Sequence, residues 1–192
     1  MKTETETHIT MSKVLIPLAD GCEEIEAVTI IDILRRAGVA VTAAGLSTRQ
    51  IKCSRGTVIM ADDLLDDVLN NNFDMIVLPG GMPGAEHLKN DQRIISLLQN
   101  MAAKNKYVAA ICAAPMALHT AGLLDNKAAT SFPGVLDKLP GSHRYSTQPV
   151  VVDGNLVTSR GPGTAMDFAL TLVELLCGTE QRKQVEAPLQ RF

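Results

Sequence analysis

Tryptophan is absent, and aromatic residues make up only 3% of the 192 residues. A core without large rings has to be aliphatic, built from Val, Ile, Leu and Ala. A basic excess is also missing: 18 Lys and Arg face 21 Asp and Glu, for a net charge of -3. Phosphate-binding surfaces show as clustered positive charge, so neither specific nucleic-acid binding nor attachment to an anionic membrane is expected. The four cysteines, Cys22, Cys53, Cys112 and Cys177, form no Cys-x-x-Cys pair. That spacing argues against a zinc site. A spanning helix needs about 20 apolar residues, and the longest apolar run, Val108 to Leu118, is broken by Pro115. The Thr, Glu and His residues near the start do not resemble a signal peptide, which needs a basic stretch followed by an apolar one. The expectation is a cytoplasmic protein with residues 1–12 as a disordered leader and Met11 as an alternative start. In that compartment structural disulfides are not expected.

What is present is enough hydrophobic sequence, 46%, for one domain over residues 13–192 with a substantial core. Strand-like and helix-like segments alternate. Val14 to Pro17 suits a buried strand, and Glu23 to Ala37 repeats apolar residues at helical spacing. Glutamates open that helix and arginines close it, as the helix dipole favours. Val39 to Ala44 is a strand, Ile51 to Met60 a hairpin turning at Ser54-Arg55-Gly56, and Asp74 to Leu78 a strand. Asp91 to Lys104 is a helix, Tyr107 to Ile111 a strand, and Pro115 to Ala121 a helix. A hairpin with an Asp153-Gly154 turn comes next, then a helix over Ala165 to Cys177 and a short helix toward the end. Apolar, non-alternating strands between helices predict a mostly parallel sheet covered on both faces. The fold class is α/β, a flavodoxin-like three-layer sandwich, with its site beyond the carboxyl ends of the strands.

Three strand ends carry chemistry. Cys112 stands where a strand runs straight into a helix, a place that holds a nucleophile out of the sheet at strained backbone angles. The N–H groups of the following helix should lower its thiol pKa well below that of free cysteine. The competing reading is a buried structural cysteine. Gly80 and Gly81 expose backbone N–H groups suited to an oxyanion hole, as does Ala113 after the cysteine. Glu23, Glu24 and Glu26 open the first helix. A carboxyl closed in with the thiol would titrate high and could carry a proton. No histidine completes a triad: His8, His87 and His143 fall outside regular elements, and His119 lies two turns beyond Cys112.

Taken together, Asp20-Gly21-Cys22-Glu23-Glu24-Ile25-Glu26, Leu78-Pro79-Gly80-Gly81, Ala110-Ile111-Cys112-Ala113 and Ser159-Arg160-Gly161-Pro162-Gly163-Thr164 resemble the DJ-one/ThiJ/PfpI superfamily, in its DJ-one branch with bacterial YajL-type members. The resemblance runs from Lys13 to about Leu189. It implies a catalytic pair of Cys112 and Glu26, the latter protonated near neutral pH and hydrogen-bonded to the sulfur. It also implies that Arg55 and Arg160 lie near the site or a dimer interface as anion-binding candidates. A homodimer without metal or organic cofactor is implied. The activities of that branch are glyoxalase or deglycase chemistry on methylglyoxal and its early protein or nucleotide adducts, redox sensing through the cysteine, and chaperone action in stress defence. Two departures stand out. Phe132 occupies the place of a family histidine, and Ala113 replaces the histidine that peptidase members carry after the cysteine, so peptidase activity is not expected.

Overall fold

The computed structural model describes residues 11–191. The leader expected over residues 1–12 therefore lies largely outside the described residues.

In chain order, β1 (Lys13–Leu18) leads into α1 (Glu24–Arg36) and β2 (Ala40–Gly45). A hairpin of β3 (Gln50–Lys52) and β4 (Val58–Met60) precedes β5 (Asp63–Leu64) and α2 (Leu65–Val68). Then come β6 (Met75–Leu78), α3 (Gly84–Asn90), α4 (Gln92–Ala103), β7 (Tyr107–Ile111) and α5 (Pro115–Thr120). The two-residue strands β8 (Ala128–Ala129) and β9 (Arg144–Tyr145) pair with each other. The hairpin β10 (Val150–Asp153) and β11 (Leu156–Ser159) is followed by α6 (Ala165–Cys177) and α7 (Thr179–Glu186).

Seven strands form the central sheet in the order β10-β11-β7-β6-β1-β2-β5. All pairings are parallel except β10 with β11. Helices flank this sheet: α1 packs on α6 and α6 on α7, while α3, α4 and α5 pack together. Every residue of β6 is buried, as is every residue of β1 after Lys13. That burial explains why these strands read as continuous apolar runs rather than as alternating ones. The core is aliphatic, with Phe168 the one aromatic among its largest fully buried side chains. The α/β sandwich expected from the sequence is the fold observed.

Two helices escaped sequence reading. α2 has four residues and α3 seven, and α3 buries only Gly84, Ala85 and Leu88. An element of under two turns cannot show a 3.6-residue period above its surroundings. Strand order sets where the chemistry gathers. β1, β6 and β7 are adjacent, so their carboxyl ends bring the start of α1, the Gly80-Gly81 turn and Cys112 to one place.

Candidate active site

Cys112 leaves β7 with φ 64°. A non-glycine residue in the left-handed region is strained, and its surroundings must hold it there. Both backbone groups are fixed. Its N–H donates to the Ser159 carbonyl at 3.0 Å, and its carbonyl accepts from the Phe132 N–H at 2.8 Å. Ala114 N–H closes back onto the Ile111 carbonyl at 3.0 Å. The sulfur is thereby turned out of the sheet, although the residue is only 8% exposed.

Gly80 and Gly81 shape the opposite wall. A Cβ on Gly80 would stand 2.5 Å from Cys112 Cβ and 2.8 Å from Glu26 Oε2. A Cβ on Gly81, at φ 87°, would stand 2.3 Å from Glu23 N. Both positions need glycine because the thiol and the start of α1 approach them so closely. Their amides do different work. Gly80 N–H donates to Glu26 Oε2 at 2.7 Å, so the expected oxyanion role does not suit it: the hydrogen is already committed to the carboxyl. Gly81 N–H and Ala113 N–H instead face the sulfur and pull its pKa downward.

The three glutamates divide their tasks. Glu23 caps α1, its Oε2 accepting from Glu26 N–H at 2.8 Å. Glu24 reaches across to the β3–β4 turn and accepts from Ser54 Oγ, Arg55 N–H and Thr57 N–H. Burial alone would push its carboxyl up, but these hydrogen bonds hold it below its ordinary value. Glu26 is fully buried. Burial pushes its pKa up to about 7 against the opposing Gly80 N–H. Its second oxygen, Oε1, has no hydrogen-bond partner among the described residues.

One expectation needs correction. The thiol is not depressed: burial first, and the Glu26 carboxylate second, push it well above the value of free cysteine. The helix that should have lowered it has only six residues. The first amides after Ala113 are spent on turn bonds, from Ala114 to Ile111 and from Met116 to Ala113. The expected contact between Glu26 and the sulfur is supported by the mutual influence of the two groups as hydrogen-bond partners, and Oε1 has no other partner among the described residues. The two groups are close enough to act on one another's titration. Two anions are disfavoured in one closed space, so the pair resists losing its last proton.

A pocket of about 410 Å³ opens onto Cys112, lined also by Arg55, Gly81, Met82, Ala113, Met116 and Phe132. Arg55 thus belongs to the site. Arg160 does not line the pocket; its guanidinium donates to the Thr147 carbonyl at 3.3 Å. Phe132, half exposed, supplies an apolar wall where a base was absent from the sequence. His119 Nε2 bonds to the Pro140 carbonyl and His143 Nε2 to that of Leu136, while His87, expected in a loop, lies in α3; His8 lies outside the described residues. No cluster of three or more metal-ligating side chains occurs among the described residues.

Known proteins are similar to this chain in sequence and fold. Over 175 residues the chain is 44% identical to protein DJ-1 homolog B of Arabidopsis thaliana, covering 90% of this chain but 40% of that relative. It thus spans well under half the length of that relative. With the Parkinson disease protein 7 homolog of Danio rerio the identity is 43% over 181 residues, covering 92% of this chain and 96% of the relative. It is 38% identical over 177 residues to a Caenorhabditis elegans protein named glutathione-independent glyoxalase DJR-1.2, covering 92% and 94% of the two chains. The crystal structure of Drosophila melanogaster DJ-1beta superposes with a TM-score of 0.91 at 41% identity, covering 94% of this chain and 98% of that one. These relatives are eukaryotic, so the bacterial YajL-type placement finds no support in them. The sequence pattern of the DJ-1/PfpI family matches residues 12–175, and the chain belongs to that family.

Proposed function

We propose that this protein is a cofactor-independent, cysteine-dependent enzyme of glyoxalase or deglycase type. Its substrates are methylglyoxal or the early adducts that methylglyoxal forms on proteins and nucleotides, and it acts as a cytoplasmic homodimer in carbonyl and oxidative stress defence. The observation that carries this reading is a strained, outward-turned Cys112 that lines the pocket, backed by a buried, high-titrating Glu26. A relative named as a glutathione-independent glyoxalase supports it.

The chemistry rests on the shared proton. Glu26 as carboxylate takes the proton of the Cys112 thiol, and the sulfur attacks the aldehyde carbon. A C–S bond forms, and the carbonyl π pair moves onto oxygen beside the Gly81 and Ala113 amides. Glu26 returns the proton to that oxygen, giving a hemithioacetal. It then moves a proton from the former aldehyde carbon to the neighbouring one through an enediol, which leaves a thioester on sulfur. Water cleaves the thioester to lactate and free thiol. The sum is methylglyoxal plus water to lactate, with no external reductant or oxidant. Arg55 supplies positive charge at the pocket wall for adducts that carry an anionic group.

Lactate release from methylglyoxal without glutathione tests the proposal. Wild type should turn over, and Cys112→Ser should fall to the uncatalysed background. Wild type at background would overturn it. A second reading has its own observation. The Gly81 and Ala113 amides and the unpartnered Glu26 oxygen cluster about the sulfur, a setting that suits a cysteine sulfinate. A redox sensor or chaperone would then show sulfinate formation at Cys112 without turnover.

A further inference from the structure

The other two buried cysteines face each other. Cys22 Sγ and Cys53 Sγ lie 3.5 Å apart, and both are free thiols. Cys22 sits in the loop from β1 to α1, and Cys53 opens the turn after β3. Backbone bonds bracket the contact: Gly21 N–H donates to the Lys52 carbonyl and Ser54 N–H to the Cys22 carbonyl, each at 2.8 Å. These bonds hold the two short segments side by side with the two sulfurs in direct contact. Closing the bond requires the sulfurs to approach to about 2.05 Å, a movement within reach of side-chain rotation. Neither thiol takes part in the aldehyde chemistry proposed for Cys112.

We propose that Cys22 and Cys53 form a second redox site, a dithiol that closes to an intramolecular disulfide under hydrogen peroxide. Cys53, 4% exposed against 0% for Cys22, meets the oxidant first. Its sulfur attacks one peroxide oxygen and becomes a sulfenic acid, releasing one water. The Cys22 sulfur then attacks the Cys53 sulfur, the S–S bond forms, and the hydroxyl leaves as a second water. Two thiols lose two protons and two electrons, and the peroxide is reduced to water. Burial is the first influence disfavouring both thiolates; the neighbouring Cys53 raises Cys22 further, while the contact with Cys22 partly offsets the rise at Cys53. Once closed, the disulfide ties the turn bearing Ser54 and Arg55, both in the pocket wall, to the loop that precedes Glu23.

The test uses the reduced full-length protein, titrated with hydrogen peroxide, quenched with iodoacetamide and digested with trypsin without reductant. Cleavage after Lys13, Arg35, Lys52 and Arg55 places the two thiols on peptides 14–35 and 53–55. The expected product is a cross-linked pair of these peptides. It should appear in wild type and in Cys112→Ser, be absent from Cys53→Ser and Cys22→Ala, and vanish with dithiothreitol. Recovery of both peptides separately alkylated after Cys112 is fully sulfinated would overturn the proposal. So would linkage of either thiol to Cys177 or between molecules, or a cross-link that requires Cys112. Because the first of these is read in wild type, a misfolded variant cannot shield the idea.

Discussion

At the scale of single residues, the proposed chemistry rests on one proton shared by Cys112 and Glu26. Glu26→Gln keeps the partner for Gly80 N–H but cannot move a proton. It should lower methylglyoxal turnover by about 10²–10⁴-fold, the range for lost general acid–base catalysis, while sulfinate formation remains. Glu26→Leu should impair both, and wild-type turnover by Glu26→Gln would remove the proton-shuttle role. The same carboxyl predicts a pH dependence of stability. Its folded pKa, about 7, lies above the roughly 4.3 of an unfolded glutamate. The folded state therefore retains a proton that the unfolded state has lost. The contribution is fully present below about pH 4.3 and disappears as pH rises through 7, an effect of order 3 kcal/mol. Urea melts of wild type and Glu26→Gln should diverge over that window, the wild type losing stability relative to the variant. Parallel curves would show that burial does not hold Glu26 neutral. Much of this pair was legible beforehand: a cysteine at a strand end and a carboxyl at a helix start announce themselves. The sign of the thiol shift was not, because it depends on how many amides around the sulfur remain free, and local turn bonds consume them.

At the scale of elements, the β3–β4 hairpin is held to α1 by one side chain. Glu24 accepts from Ser54 Oγ at 3.1 Å and from the Arg55 N–H at 3.0 Å. Glu24→Ala should cost about 1–3 kcal/mol, and it should release the turn that carries Arg55 into the pocket. Amide hydrogen exchange at Arg55 and Thr57 should rise sharply while that of β1 and β6 stays slow. Unchanged protection at the turn would mean that Gly21 and Cys22 hold the hairpin without Glu24. Sequence reading placed this hairpin and its turn correctly, since the Gly56 turn and the flanking apolar residues are local signals. It assigned Glu24 no specific duty, because its partners lie 30 or more residues away. Gly80 was misjudged for the same reason: its amide answers a carboxyl 54 residues distant. Long apolar strands and helices of twelve or more residues were readable because they repeat a period. Contacts between elements leave no period in the chain.

At the scale of the whole molecule, burial leaves apolar surface unaccounted for. Ile25 and Val28, three apart on α1, are 56% and 49% exposed. Val58 and Met60 on β4 are 52% and 63% exposed. Single exposed apolar residues are ordinary, but several together mark an interaction face. These four stand on two elements that Glu24 joins, beside the turn that borders the pocket. No helix among the described residues is long and apolar enough to cross a membrane, so none explains them as a lipid-spanning surface. A second copy of the chain, bringing the same face, would cover them by a two-fold contact in which the apolar residues of one copy pack on those of the other. The wild type should therefore scatter light as a dimer at micromolar concentration. The double variant Ile25→Glu with Val28→Glu places four like charges at such a contact, two from each chain, and should scatter as a monomer with unchanged far-ultraviolet circular dichroism. A wild-type monomer would refute the dimer. A dimer that survives the double substitution would move its interface away from α1.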